Sequence, residues 1–259
     1  MYLGLGACAG LLAGLLGVGG GLVIVAVLVW LLPLSGVPAD YAMHAALATS
    51  LASILFTASA SARAHHRRGS VLWPSVWRLV PGLLLGAGFG ALVATNWLSG
   101  ETLRWLVAGY CLLAALQMLL GRVAAGAGRT DAPRSPLLVL AGTVIGAVSA
   151  IVGIGGGSLT VPLLIRMGVA PVRAVGTSSA CGVAIAASSA VSYALFGPAG
   201  ALPSGGVGYV YLPAAFGIAI ASMLFAPWGT RLAHALSGAA LSRVFALFLL
   251  AVGLSLALK

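Results

Sequence analysis

Long apolar stretches alternate with short polar gaps along all 259 residues of this chain. A first apolar segment covers 3–32, and three stretches of membrane-spanning length follow at about 43–62, 72–96 and 103–120. A polar gap, GRVAAGAGRTDAPRSP (121–136), separates these from a second series at 137–167, 176–196, 209–227 and 241–258. This pattern predicts an all-α polytopic membrane protein with one repeat at 1–121, a cytoplasmic linker at 122–136 and a second repeat at 137–259. Short matches in the same order support the duplication: GVGGG (17–21) with GIGGG (153–157), ALATSLA (46–52) with AVGTSSA (174–180), and GSVLWP (69–74) with GYVYLP (208–213).

The first segment of each repeat is interrupted by glycines, which are poor helix formers. As one helix, residues 3–32 would run about 45 Å, more than the roughly 30 Å hydrocarbon core. Split at the glycines, the arms come to about 21 and 17 Å, too short to cross alone. A re-entrant hairpin fits these lengths, and a kinked single helix also fits them. Basic residues separate the two. With hairpins each half crosses three times and the halves are inverted, so eleven basic residues face the cytoplasm and only Arg104 and Lys259 lie outside. With single crossings the best division is eight to five. The positive-inside rule therefore favours two inverted repeats, each a glycine-broken hairpin plus three transmembrane helices, with both termini outside.

Composition agrees. Hydrophobic residues make up 61% of the chain and charged residues 6%, and mean hydropathy is +1.14; a soluble domain carries far more polar surface. The net charge of +10 sits in the gaps between spans, where orientation explains it without nucleic acid. The run RAHHRRG (63–69) reads as an orientation signal that attracts anionic lipid. Cys8, Cys111 and Cys181 lie far apart in apolar runs and read as buried structural thiols. No basic region precedes the first apolar stretch, so a cleaved signal peptide is not expected.

Discontinuous helices in inverted repeats build binding sites near the bilayer midplane. A helix that starts inside the membrane presents unpaired N–H groups and a positive dipole end, both suited to an anion. Gly17, Gly19, Gly20 and Gly21, with Gly153, Gly155, Gly156 and Gly157, are thus candidates for two sides of one anion site. Glycine serves close helix packing equally well. Thr49, Ser50, Thr177 and Ser178, early in the following helices, offer hydroxyls to an oxyanion or to neighbouring helices. His44, a turn before Thr49, is a candidate for anion or proton handling or for a place among lipid headgroups.

Absences narrow the class. The acidic residues Asp40, Glu101 and Asp131 all lie in connections, so no carboxylate inside a span serves a proton relay or cation site. Lys259 is the only lysine, so neither glycine cluster is a Walker A loop. No nucleophile with a partnered base, no metal motif and no cofactor motif appears; an enzyme is not expected.

The stretches AGLLGVGGG (13–21) and SAIVGIGGGSLTVPLL (149–164), each followed by a Thr-Ser pair, resemble the TauE/SafE family of bacterial permeases, also called the toluene-sulfonate uptake permease family. The resemblance covers essentially the whole chain. It implies a multi-pass protein of the bacterial cytoplasmic membrane that moves a small anion such as sulfite or an organosulfonate, with the glycine clusters and both Thr-Ser pairs as site residues. The second motif keeps a proline at Pro162 where the first has Ala26, so equal roles for the halves are in question. The expected partners are a small anionic substrate and the lipid bilayer, and the two apolar hairpins are candidates for a homodimer interface. A channel-like anion facilitator and a non-transporting membrane scaffold are the competing readings.

Overall fold

A computed structural model gives the architecture and describes residues 1–16, 20–120, 137–235 and 238–258. The helices are α1 (Tyr2–Leu16), α2 (Gly21–Leu34), α3 (Ala39–Arg67), α4 (Trp73–Asn96), α5 (Gly100–Leu120), α6 (Leu137–Val152), α7 (Gly157–Arg166), α8 (Pro171–Phe196), α9 (Leu212–Ala235) and α10 (Gly238–Ala257). Among the described residues, α3, α4, α5 and α8 are long and apolar enough to cross a membrane. The arms α1, α2, α6 and α7, with 15, 14, 16 and 10 residues, run about 15–24 Å and fall short of a bilayer core.

Both breaks have a local cause. α6 ends where Gly153 takes φ 77°; the N–H groups of Gly153 and Ile154 donate to the Ser149 carbonyl at 2.9 and 3.0 Å, which closes the last turn. Gly20 (φ 67°) and Gly156 (φ 73°) then set the chain into α2 and α7 from the left-handed region, which a side chain reaches only at a cost.

α3 and α8 lie against each other at the centre of the bundle. Around them α1 packs on α9, α6 on α4, and α5 on α10, so each of these pairs takes one helix from each half. Lipid removes most of the hydrophobic drive between helices, and close packing of small residues replaces it. Gly82, Gly86 and Gly90 stand on one face of α4, and a Cβ on any of them would run into the backbone of Val139, Thr143 or Ala147 on α6.

The structure departs from the all-helical expectation at one place. Residues before α9 form a short antiparallel hairpin of β1 (Gly206–Val207) and β2 (Val210–Tyr211), which Gly205 and Gly208 permit with φ 92° and 53°. The cysteines also differ from expectation: Cys111 and Cys181 are buried, whereas Cys8 is exposed. Its position on α1 faces away from the α9 contact that Gly6 and Gly10 make. Trp77, Trp97 and Trp228 are exposed near helix ends, and Trp73 is borderline exposed, as interfacial anchors are.

Candidate substrate site at the helix breaks

The two breaks meet. A Cβ on Gly21 would lie 2.7 Å from the Gly153 carbonyl oxygen and 3.2 Å from Ile154 Cα, so the backbones touch with no room for a side chain. Ser50 of α3 holds the junction: its hydroxyl, fully buried, lies 3.2 Å from the Gly21 carbonyl and 3.1 Å from the Gly153 carbonyl and donates between them. Gly155 is wedged between α3 and α8, beside Ile54, with its carbonyl 2.8 Å from the position of a Cβ on Gly182. Gly17 and Gly19 lie outside the described residues.

The two threonines have matching duties across the halves. Tyr211 N–H donates to Thr49 Oγ1 at 3.0 Å, and Leu72 N–H donates to Thr177 Oγ1 at 2.9 Å. Leu72 and Tyr211 occupy equivalent places in the matched stretches GSVLWP and GYVYLP. Each hydroxyl thus satisfies a backbone donor that arrives from the other half, the one at Thr177 buried and the one at Thr49 partly so.

The serines do not match. Ser50 is bonded, whereas the Ser178 hydroxyl, 2% exposed, has no hydrogen-bond partner. Two further buried hydroxyls share this condition at the second break: Ser149 and Thr160, both at zero exposure. Their oxygens lie 3.5 and 3.6 Å from the point a Cβ on Gly156 would occupy, which Ile185 Cδ1 approaches from α8, so both stand close together at the start of α7. Leu159 and Thr160 N–H donate back to the Gly156 carbonyl at 3.1 and 2.8 Å, while the N–H groups of Gly157 and Ser158 find no such acceptor. The Ser158 hydroxyl is 2.6 Å from Tyr110 Oη.

A buried hydroxyl without a partner costs about 1–3 kcal/mol. Donors left open around one point at a helix N-terminus are suited to receive an oxyanion. Reading the repeat for equivalent residues missed Ser149 and Thr160, because their counterparts in the first motif are Ala13 and Ile24. The signal was present as two hydroxyls inside SAIVGIGGGSLT. The second break is the polar one; the first is an apolar partner that braces it.

His44 stands apart from the breaks. Its Nε2 lies 3.1 Å from both the Ala94 and the Leu98 carbonyls, and its ring stacks on Tyr209 with centroids 4.8 Å apart. Six residues of α3 separate it from Ser50, about 9 Å along the helix.

Comparison with known proteins agrees with this architecture. Residues 2–256 match the family described as sulfite exporter TauE/SafE. A protein of Haemophilus influenzae named "probable membrane transporter protein" is 36% identical over 255 residues, covering 98% of this chain and 96% of that relative. A Xylella fastidiosa protein of the same name is 32% identical, covering 68% of this chain and 66% of its own length. The Bacillus subtilis probable membrane transporter protein YdhB is 26% identical, covering 71% of this chain and 74% of its own. No solved structure matches. Matched along nearly its whole length, the chain is a multi-pass membrane transporter and belongs to the TauE/SafE sulfite exporter family.

Proposed function

We propose that the protein is a secondary transporter for a small oxyanion, sulfite or an organosulfonate, in the bacterial cytoplasmic membrane. The substrate is held at the second break by the Ser149 and Thr160 hydroxyls and the first N–H groups of α7. The observation that carries this reading is the group of buried, unpartnered donors facing one point beside Gly156. Gly20, Gly21, Gly153 and Gly155 shape the junction, and Ser50 and the two threonines hold it. Ser178 supplies a further open hydroxyl on α8.

In this reading the halves 1–121 and 137–259 are inverted repeats joined by a cytoplasmic linker, and they rock about the junction to expose the anion to either side. The helix pairs drawn from opposite halves support a division into two such units. The basic-residue distribution supports the orientation.

The test is uptake of labelled sulfite and a set of organosulfonates, with sulfate as comparison, into proteoliposomes of the purified protein. Saturable flux that accelerates when unlabelled substrate is loaded on the far side supports a carrier. Linear, non-saturating flux identifies a channel-like path instead. No flux of any anion, with or without a pH gradient, would overturn the transport of sulfur oxyanions and favour a scaffold.

A further inference from the structure

The beginning of α3, the α4–α5 link and Tyr209 border an open cavity of about 640 Å³, within the range of small-molecule sites. Asp40, Tyr41, His44, Glu101, Arg104 and Tyr209 are among its lining residues. Arg104 is the notable member. The positive-inside pattern leaves it on the side where basic residues are scarce, so orientation does not account for it. Its side chain is only 17% exposed, and among the described residues its ion pair is with Glu101, 3.9 Å away, a carboxylate that is itself 75% exposed. Its Nε has no hydrogen-bond partner. The Trp105 ring, 5.9 Å from Cζ, offers a weak contact on one face.

A guanidinium so withdrawn from water needs a partner of opposite charge, and its planar fork suits the oxygens of an oxyanion. Asp40 and Glu101 do not fill that need, because both are exposed and screened by water. His44 supplies a second contact. It is 5% exposed, and both neighbours of Nε2 are carbonyl acceptors, so Nε2 carries a hydrogen. That leaves Nδ1, buried and unpartnered, with a lone pair to accept from the O–H of a monoprotonated oxyanion.

We infer that this cavity is a second oxyanion site, built on Arg104 with His44 as its inner contact, which receives the substrate before it reaches the helix breaks. The two places are linked along the chain: Tyr209 lines the cavity, and Tyr211, two residues on, donates its N–H to Thr49 beside the junction. The inference rests on the proposed function only for the class of anion; the cavity and its lining by Arg104 and His44 stand without it.

Binding of sodium sulfite to the purified full-length protein, followed by calorimetry with sulfate and chloride as comparisons, tests it. Two saturable equivalents per chain are expected for the wild type. Arg104→Gln should remove one of them, Arg104→Lys should keep it with about tenfold weaker affinity, and Thr160→Val should weaken the other. In proteoliposomes Arg104→Gln should raise KM. An isotherm indifferent to Arg104→Gln, or chloride binding as tight as sulfite, would overturn the inference. If Arg104→Gln loses a site while Thr160→Val changes nothing, the cavity site stands and the site at the breaks falls.

Discussion

Replacing Thr160 by valine separates a binding hydroxyl from a structural one. The two side chains have nearly the same shape and the same branching at Cβ, so α7 keeps its rotamer and packing. In the structure the Thr160 hydroxyl is fully buried and bonded to nothing. Its removal therefore breaks no internal hydrogen bond and relieves an unpaired polar group, worth about 1–3 kcal/mol in mutational series. The empty protein should melt at the same temperature as wild type or higher. The anion loses one hydrogen bond to a charged partner, about 1.5–3 kcal/mol, which corresponds to a rise in KM of roughly 10- to 150-fold. Opposite signs for stability and affinity are the signature. Thermal unfolding in detergent measures the first, and the concentration dependence of sulfite uptake in proteoliposomes measures the second. A lower melting temperature with unchanged KM would refute the reasoning, because the hydroxyl would then be holding the fold.

The remaining predictions concern the frame around that site. Ser50→Ala removes the donor shared by the Gly21 and Gly153 carbonyls; stability should fall by about 1–3 kcal/mol, read as a lower melting temperature, the opposite of Thr160→Val. Thr49→Val and Thr177→Val each strip a backbone N–H of its acceptor, partly buried at Tyr211 and buried at Leu72. They should destabilise by similar amounts, and a large effect from only one would show that the halves are not equivalently tied. Gly86→Leu drives a side chain into the Thr143 backbone across the α4–α6 contact and should abolish the monodisperse peak in size-exclusion chromatography. In detergent a small membrane-permeant maleimide should label Cys8 ahead of Cys111 and Cys181; labelling of the buried pair before unfolding would contradict the packing of α5 and α8.

The sequence by itself determined the features that depend on local chemistry. Spans of apolar residues state their solvent, because each backbone and side chain answers to the medium around it. Glycine at 20, 153 and 156 marks where the chain must enter the left-handed region, a demand made within a few residues and so written where it acts. The tertiary structure alone decided what the hydroxyls do. Ser50 and Ser178 look equivalent in the duplicated motif, yet one bridges two carbonyls and the other bonds to nothing. Ser149 at the end of α6 and Thr160 in α7 come close to Gly156 only through the left-handed turns at Gly153 and Gly156. His44, close to Thr49 along the chain, turns instead to Tyr209 and a cavity it shares with Arg104. The physical reason is that hydrogen-bond satisfaction is a property of neighbours. In this chain the deciding neighbours arrive from the opposite half, as Gly153 reaches Ser50 and Tyr211 reaches Thr49.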